Sequence, residues 1–181
     1  MKIVLIGIQG SGKSTQGNLL SKKLKVPYLS TGHILRDLAK QKTPHGRYIK
    51  EILNTGVLLP DEEIIPIVEK YLERLEYKNG YIIDGFPRTV KQAKVFNGGI
   101  DQVIYLNVSD KEALWRLSYR HDPEREDDET LAAIRKRIEI FHKYTKPVLD
   151  YYRKKDMLIE LNGEEDINKI HKDILEKVTK K

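Results

Sequence analysis

Lys13 and Ser14 close the run Gly7-Ile8-Gln9-Gly10-Ser11-Gly12-Lys13-Ser14. A glycine, four free positions and then Gly-Lys-Ser is the phosphate-loop spacing. The chemistry that spacing serves is polyphosphate binding. Glycines let the backbone wrap an anion without Cβ clashes, the lysine adds a point charge on the outer phosphates, and the serine hydroxyl is placed to hold Mg²⁺. A second chemical run lies at Asp84-Gly85-Phe86-Pro87-Arg88-Thr89, with Gln92 one helical turn on. A carboxylate there, after the apolar Tyr81-Ile82-Ile83, is suited to the water shell of the same Mg²⁺. Gly85 and Pro87 constrain the backbone that presents Arg88.

These residues need rigid elements to position them. Ile3-Val4-Leu5-Ile6 precedes the loop and reads as a buried strand, and Leu19, Leu20 and Leu24 follow at the spacing of one helical face. Strand, glycine-rich loop and helix together aim backbone N–H groups at an anion. The pattern continues along the chain. It predicts strands at 2–6, 27–30, 80–84, 102–108 and 157–161, and helices at 13–25, 32–42, 46–55, 61–76, 89–96, 110–120, 129–145 and 165–179. Pro147 should divide the helical stretch after 129, leaving a further piece that runs to Arg153. Such alternation implies an α/β fold: an open parallel sheet with helices on both faces and ligands at the carboxyl ends of the strands. Two segments break the alternation. Residues 31–60 read as a small helical insertion, and 121–128 as a polar loop that could cover an anionic substrate.

Bulk composition narrows the class. The chain has 181 residues, 39% hydrophobic and 33% charged, with a net charge of +6 and no cysteine. That describes one globular domain. No apolar run has the length of a membrane span, and the N-terminal apolar stretch reads as a strand rather than a signal peptide. Absence of cysteine excludes disulfides and thiolate metal sites and favours a cytoplasmic location. Basic and acidic residues are interleaved, as on solvated helix faces, so no nucleic-acid or membrane partner is expected.

Taken together, the phosphate loop, Ser30-Thr31-Gly32 with Arg36, the Asp84-to-Arg88 run, Arg116 with Arg120, and the segment from Arg125 to Arg137 resemble the adenylate kinases, within the nucleoside monophosphate kinases. The resemblance covers essentially the whole chain. It implies a P-loop core of five parallel strands, a monophosphate-binding segment at about 31–60, and a lid of the short form at 121–128. It also implies Mg²⁺-dependent, reversible phosphoryl transfer from ATP to AMP, giving two ADP. No zinc site is implied for so short a lid without cysteine, and the partners would be ATP, AMP and ADP, bound by a monomer.

Residue by residue, the resemblance places ATP against Gly10, Ser11, Gly12, Lys13, Ser14, Thr15, Arg116 and Arg120. It places AMP against Thr31, Gly32, Arg36, Val57, Leu58, Leu59, Gly85, Phe86, Arg88, Gln92, Arg125 and Arg137. Lys13, Arg88, Arg120, Arg125 and Arg137 would stabilise the transferred phosphoryl, a reaction that depends on alignment and charge neutralisation. Ser14 and Asp84 would serve the metal, Asp84 through water. Thr31 and Gln92 both point to adenine, which weighs against the alternative of a UMP/CMP kinase. A nucleotide-gated switch protein with slow hydrolysis is the alternative of another class. Two positions depart from the family pattern: Ser14 stands where most members have glycine, and His33 where aspartate is usual, removing a negative charge near the metal.

Overall fold

The structure is a computed structural model, which describes residues 1–96, 98–119 and 130–179. Five parallel strands form one sheet in the order β2-β3-β1-β4-β5. The strands are β1 (Lys2–Ile6), β2 (Tyr28–Ser30), β3 (Tyr81–Asp84), β4 (Gln102–Asn107) and β5 (Leu158–Asn162). Their continuous apolar runs suit strands covered on both faces. Alternate side chains divide accordingly. Ile3, Leu5, Ile82, Ile104 and Leu106 enter one core, while Val4, Ile6, Ile83, Val103 and Tyr105 enter the other.

The helices are α1 (Lys13–Leu24), α2 (Thr31–Ala39), α3 (Pro44–Thr55), α4 (Asp61–Leu72), α5 (Val90–Val95), α6 (Asp110–Ser118), α7 (Leu131–Ile140), α8 (Lys146–Arg153) and α9 (Ile167–Thr179). Leu20 of α1 packs with Ile170, Ile174 and Val178 of α9 in the first core. The second core is closed by Ile34 of α2, Ile49 of α3, Ile64 and Val68 of α4, and Val148 and Tyr152 of α8. Helices therefore cover both faces, and the expected architecture holds. The segment 121–128, with Arg120, lies outside the described residues.

Two expected helices differ in extent. The one expected over 61–76 ends at Leu72, because the extended backbone at Arg74 leads into a short 3₁₀ turn that carries Tyr77 into the core. The one expected over 129–145 changes at Phe141 into a π turn, and α8 starts with Pro147 in its first turn. A proline has no N–H for the ladder and is tolerated at the start of a helix.

Strand pairing sets the site. Leu5 and Ser30 both lie in register with Asp84, so the ends of β1, β2 and β3 meet at one level. The loops that follow them all start there.

Several phenols are buried around this framework. Burial, followed by a small contribution from Glu76, pushes the Tyr77 hydroxyl up to about 12, and burial also raises Tyr81, Tyr105 and Tyr152. In the unfolded chain a tyrosine titrates near pH 10. The native state therefore holds protons that the unfolded state has released, and stability should fall as pH rises above 10. The Tyr152 hydroxyl is buried with no hydrogen-bond partner. Tyr152→Phe should therefore raise stability at neutral pH by about 1 kcal/mol, and should make the alkaline loss of stability shallower. Urea unfolding at a series of pH values checks both.

Candidate active site

The glycine-rich loop leaves β1 and enters α1 through two residues in the left-handed region, Gly10 at φ 86° and Gly12 at φ 88°. A Cβ on Gly10 would stand 2.7 Å from the Ala113 carbonyl oxygen, so α6 presses directly on the loop. A Cβ on Gly12 would meet nothing within 4 Å. Open space thus lies at the start of α1, where no side chain caps the helix. By contrast α3, α5, α6 and α7 are each capped by a threonine or serine. Uncapped first-turn amides beside open space suit a phosphate.

Lys13 lies folded over its own loop. Its Nζ donates to the Ile8 carbonyl at 2.8 Å and to Ser11 Oγ at 3.4 Å. Burial pulls its pKa down, the nearby Asp84 carboxylate pulls it back up, and Arg88 adds a smaller downward push. Ser14 and Thr15 follow as exposed residues of the first turn.

Asp84 is the buried carboxylate at the end of β3. Its Oδ2 accepts from the Tyr28 hydroxyl at 3.1 Å, and its carbonyl accepts from Thr31 Oγ1 at 3.1 Å. Its Oδ1 is buried without a hydrogen-bond partner. Tyr28 also lies within hydrogen-bond reach of Ser14, and its phenol is raised by burial and then by Asp84. A buried carboxylate oxygen without a protein partner, joined through Tyr28 to an exposed serine, is a donor set of the kind that serves a hydrated cation.

The loop after Asp84 turns at Gly85, with φ 83°, where any Cβ would collide with the Thr31 hydroxyl. The Phe86–Pro87 peptide is cis. Phe86 is in the core, edge-on to Phe96 with ring centroids 5.1 Å apart, so its contribution to a ligand site is the shape of the backbone. Arg88 is held from three sides. Its Nε donates to the Gly85 carbonyl at 2.9 Å, its N–H donates to Gln92 Oε1 at 2.6 Å, and its carbonyl accepts from Thr145 Oγ1 at 3.0 Å. Burial lowers the Arg88 pKa and Asp84 raises it, with Arg137 and then Arg36 pushing it down. Those two neighbours show that three guanidinium groups gather here.

Arg137 reaches in from α7. Its Nη1 donates to Gln9 Oε1 at 3.3 Å and its Nη2 to the Leu53 carbonyl at 3.0 Å. Arg135, two residues earlier, is exposed. Gly32 makes room for Arg36, since a Cβ there would stand 3.1 Å from its Nη2. Arg116, on α6, donates to Glu112 at 2.7 Å and to the Gly163 carbonyl at 2.9 Å. Val57, Leu58 and Leu59 line a cavity of ≈ 400 Å³ together with Asp61 and Thr89. Gln92 is buried and bonded at both ends of its amide. Arg120 and Arg125 lie outside the described residues.

Sequence reasoning missed Tyr28, Gln9, Asp61 and Thr145, all of which touch the residues above. Tyr28 lies on β2, and only the pairing of that strand with β3 brings it to Asp84. Gln9 occupies a free position of the loop motif, and Asp61 and Thr145 are distant in sequence from their partners.

Residues 5–157 match the family model for adenylate kinase. The chain belongs to the adenylate kinase family. It is 34% identical to the adenylate kinase of Caldicellulosiruptor bescii, with 97% of each chain aligned. It is 37% identical to that of Azobacteroides pseudotrichonymphae, over 98% of this chain and 97% of the relative. With the Archaeoglobus fulgidus adenylate kinase the identity is 34%, over 98% and 99%. As an adenylate kinase family member the protein is a nucleotide-binding phosphotransferase. Among the described residues no helix is long and apolar enough to cross a membrane.

Asp84 stabilises this cluster as well as serving it. Its carboxylate draws both the Lys13 and Arg88 pKa values up against burial, and it accepts the Tyr28 hydrogen bond. Asp84→Asn should lower the stability of the ligand-free protein by about 2 kcal/mol, the scale of a lost hydrogen bond to a charged group. Chemical denaturation of the two proteins side by side measures it.

Proposed function

We propose that the protein transfers the γ-phosphoryl group of MgATP reversibly to AMP, giving two ADP. The observation that carries this reading is the meeting of Lys13, Arg36, Arg88 and Arg137 around one carboxylate, where β1, β2 and β3 end. Phosphoryl transfer spreads negative charge over the moving group, and fixed cations neutralise it without reorganising. The ATP phosphates would lie on the open space above Gly12, against the first-turn amides of α1 and Lys13. Arg88 and Arg36 would clamp the AMP phosphate, guanidinium being the group that meets phosphate in a fork. Arg137 stands between the Gln9 side of the phosphate loop and the Leu53 side of the monophosphate segment, which suits a group that contacts both nucleotides.

Mg²⁺ fits the residues present. Asp84 Oδ1 lacks a partner, and the Ser14 hydroxyl is exposed nearby. Asp84 would hold the ion through its waters, with Ser14 beside it. Bound there, the ion would neutralise charge on the β- and γ-phosphates. His33, exposed on α2, adds no negative charge to this site, which leaves Asp84 with the larger share of it.

Water must be shut out for transfer to outpace hydrolysis. We assign that task to the segment at 121–128, with Arg120 and Arg125 bringing cations to the phosphates on closure. The alignment with the Caldicellulosiruptor bescii relative runs over 209 positions, more than the 181 residues of this chain. That relative carries residues this chain lacks. We further propose that the protein works as a cytoplasmic monomer.

Transfer from MgATP should be assayed with AMP, GMP, CMP and UMP as acceptors and with none, the diphosphate product being identified. ADP formation that requires AMP is expected. Equal transfer to CMP or UMP would overturn the choice of base, and no transfer to any acceptor would overturn the reaction. Arg88→Lys should reduce kcat by about a hundredfold, as for loss of one aligned transition-state donor, and circular dichroism should show the fold retained.

A further inference from the structure

Gln92 carries the choice of base in the function proposed above, and the structure shows how its amide is held. Gln92 is 2% exposed. Its Oε1 accepts from the Arg88 backbone N–H at 2.6 Å, and its Nε2 donates to Asp61 Oδ1 at 2.7 Å. Thr89 Oγ1, at 3.1 Å and 3.2 Å from the two Asp61 oxygens, donates to the same carboxylate. A backbone N–H can only donate and an ionised carboxylate can only accept. The amide therefore has a single orientation. Reversed, it would set N–H against N–H at Arg88 and oxygen against oxygen at Asp61. Each such clash leaves a buried polar group unsatisfied.

We infer that Asp61 is a positioning residue for base recognition: it locks the Gln92 amide in the orientation that reads adenine and rejects 6-oxopurines. With two bonds to protein made, the amide keeps one N–H and one oxygen lone pair. Adenine offers an amino donor at its 6-position and an acceptor at N1, matching an oxygen and an N–H. Hypoxanthine and guanine offer a carbonyl at the 6-position and a donor at N1, which calls for the reversed amide. Asp61 is well placed for this, standing directly after the Val57-to-Pro60 stretch and sharing its cavity with Thr89.

A bland role for Asp61 is the electrostatic one of an acid in the first turn of α4. Glu62 and Glu63 supply that in the same turn. Glu62 also pairs with Lys91 and so ties α4 to α5 without Asp61. The bonds to Gln92 and Thr89 are what only Asp61 provides among these acids.

The inference rests on Gln92 reading the base, so the test includes Q92A. Steady-state kinetics with AMP and IMP as acceptors should be measured for wild type, D61A, D61N, Q92A and D61A/Q92A. D61A should raise KM for AMP by about tenfold, the low end for a lost hydrogen bond to a charged group. It should leave KM for ATP unchanged and narrow the preference for AMP over IMP. D61N keeps an acceptor oxygen and should recover most of both. In the Q92A background, D61A should add nothing. An equal effect of D61A with and without Gln92, or an unchanged AMP-to-IMP ratio, would overturn the inference in favour of a helix-terminus role. Normal AMP kinetics in Q92A would instead show that Gln92 does not read the base, and the inference would fall with it. If D61A does not fold, D61S, too short to reach Gln92 yet suited to a first helical turn, takes its place.

Discussion

Everything at the site is organised around the Asp84 carboxylate, set at the end of a buried strand among cations. Lys13 and Arg88 are both pushed toward losing charge by burial, and the same carboxylate restores them. An arrangement with three guanidinium groups and a lysine around one buried acid is short of negative charge. In water such an excess would be solvated cheaply, but between packed loops it is not. The rigidity of the sheet makes it possible. Asp84 lies level with Leu5 and Ser30 through hydrogen-bonded register, and the neighbouring strands cannot relax apart without breaking the core.

The side chains proposed to bind substrate phosphates are held by protein groups: Lys13, Arg88 and Arg137 each donate to a backbone carbonyl. The Gly85 and Ile8 carbonyls hold Arg88 and Lys13, the Leu53 carbonyl holds Arg137, and Thr145 fixes the backbone of Arg88 from another helix. Such supports lower the conformational entropy that remains to be lost on binding. They also join segments far apart in sequence, so that α3, α7, the π turn after it and the phosphate loop answer to the same centre.

Much of this was legible in the chain itself. Ile3 to Ile6 and Tyr81 to Ile83 read as strands because both their faces are buried, and the glycine spacing identified the phosphate loop because positive φ at Gly10 and Gly12 is a local demand. Pro147 marked a break that the structure renders as a π turn followed by a new helix. What escaped notice was long-range. Tyr28 bonds to Asp84 across 56 residues of chain, and Gln92 to Asp61 across 31. Neither pair has a period or a motif, since each depends on which strands and helices become neighbours. The sequence singled out Gln92 as a candidate base reader, but the engagement of both ends of its amide by protein required the fold.

The start of α1, with no side-chain cap and open space above Gly12, also bears on stability. Open space above Gly12, first-turn amides without a side-chain cap and the gathered cations form a place that favours an anion. A ligand that binds only the native state adds to stability in proportion to the logarithm of its concentration over its dissociation constant. The nucleotide pool of the cell thus acts as a structural component of this protein. By this linkage a full nucleotide pool raises the stability of the folded chain, and a drained one lowers it.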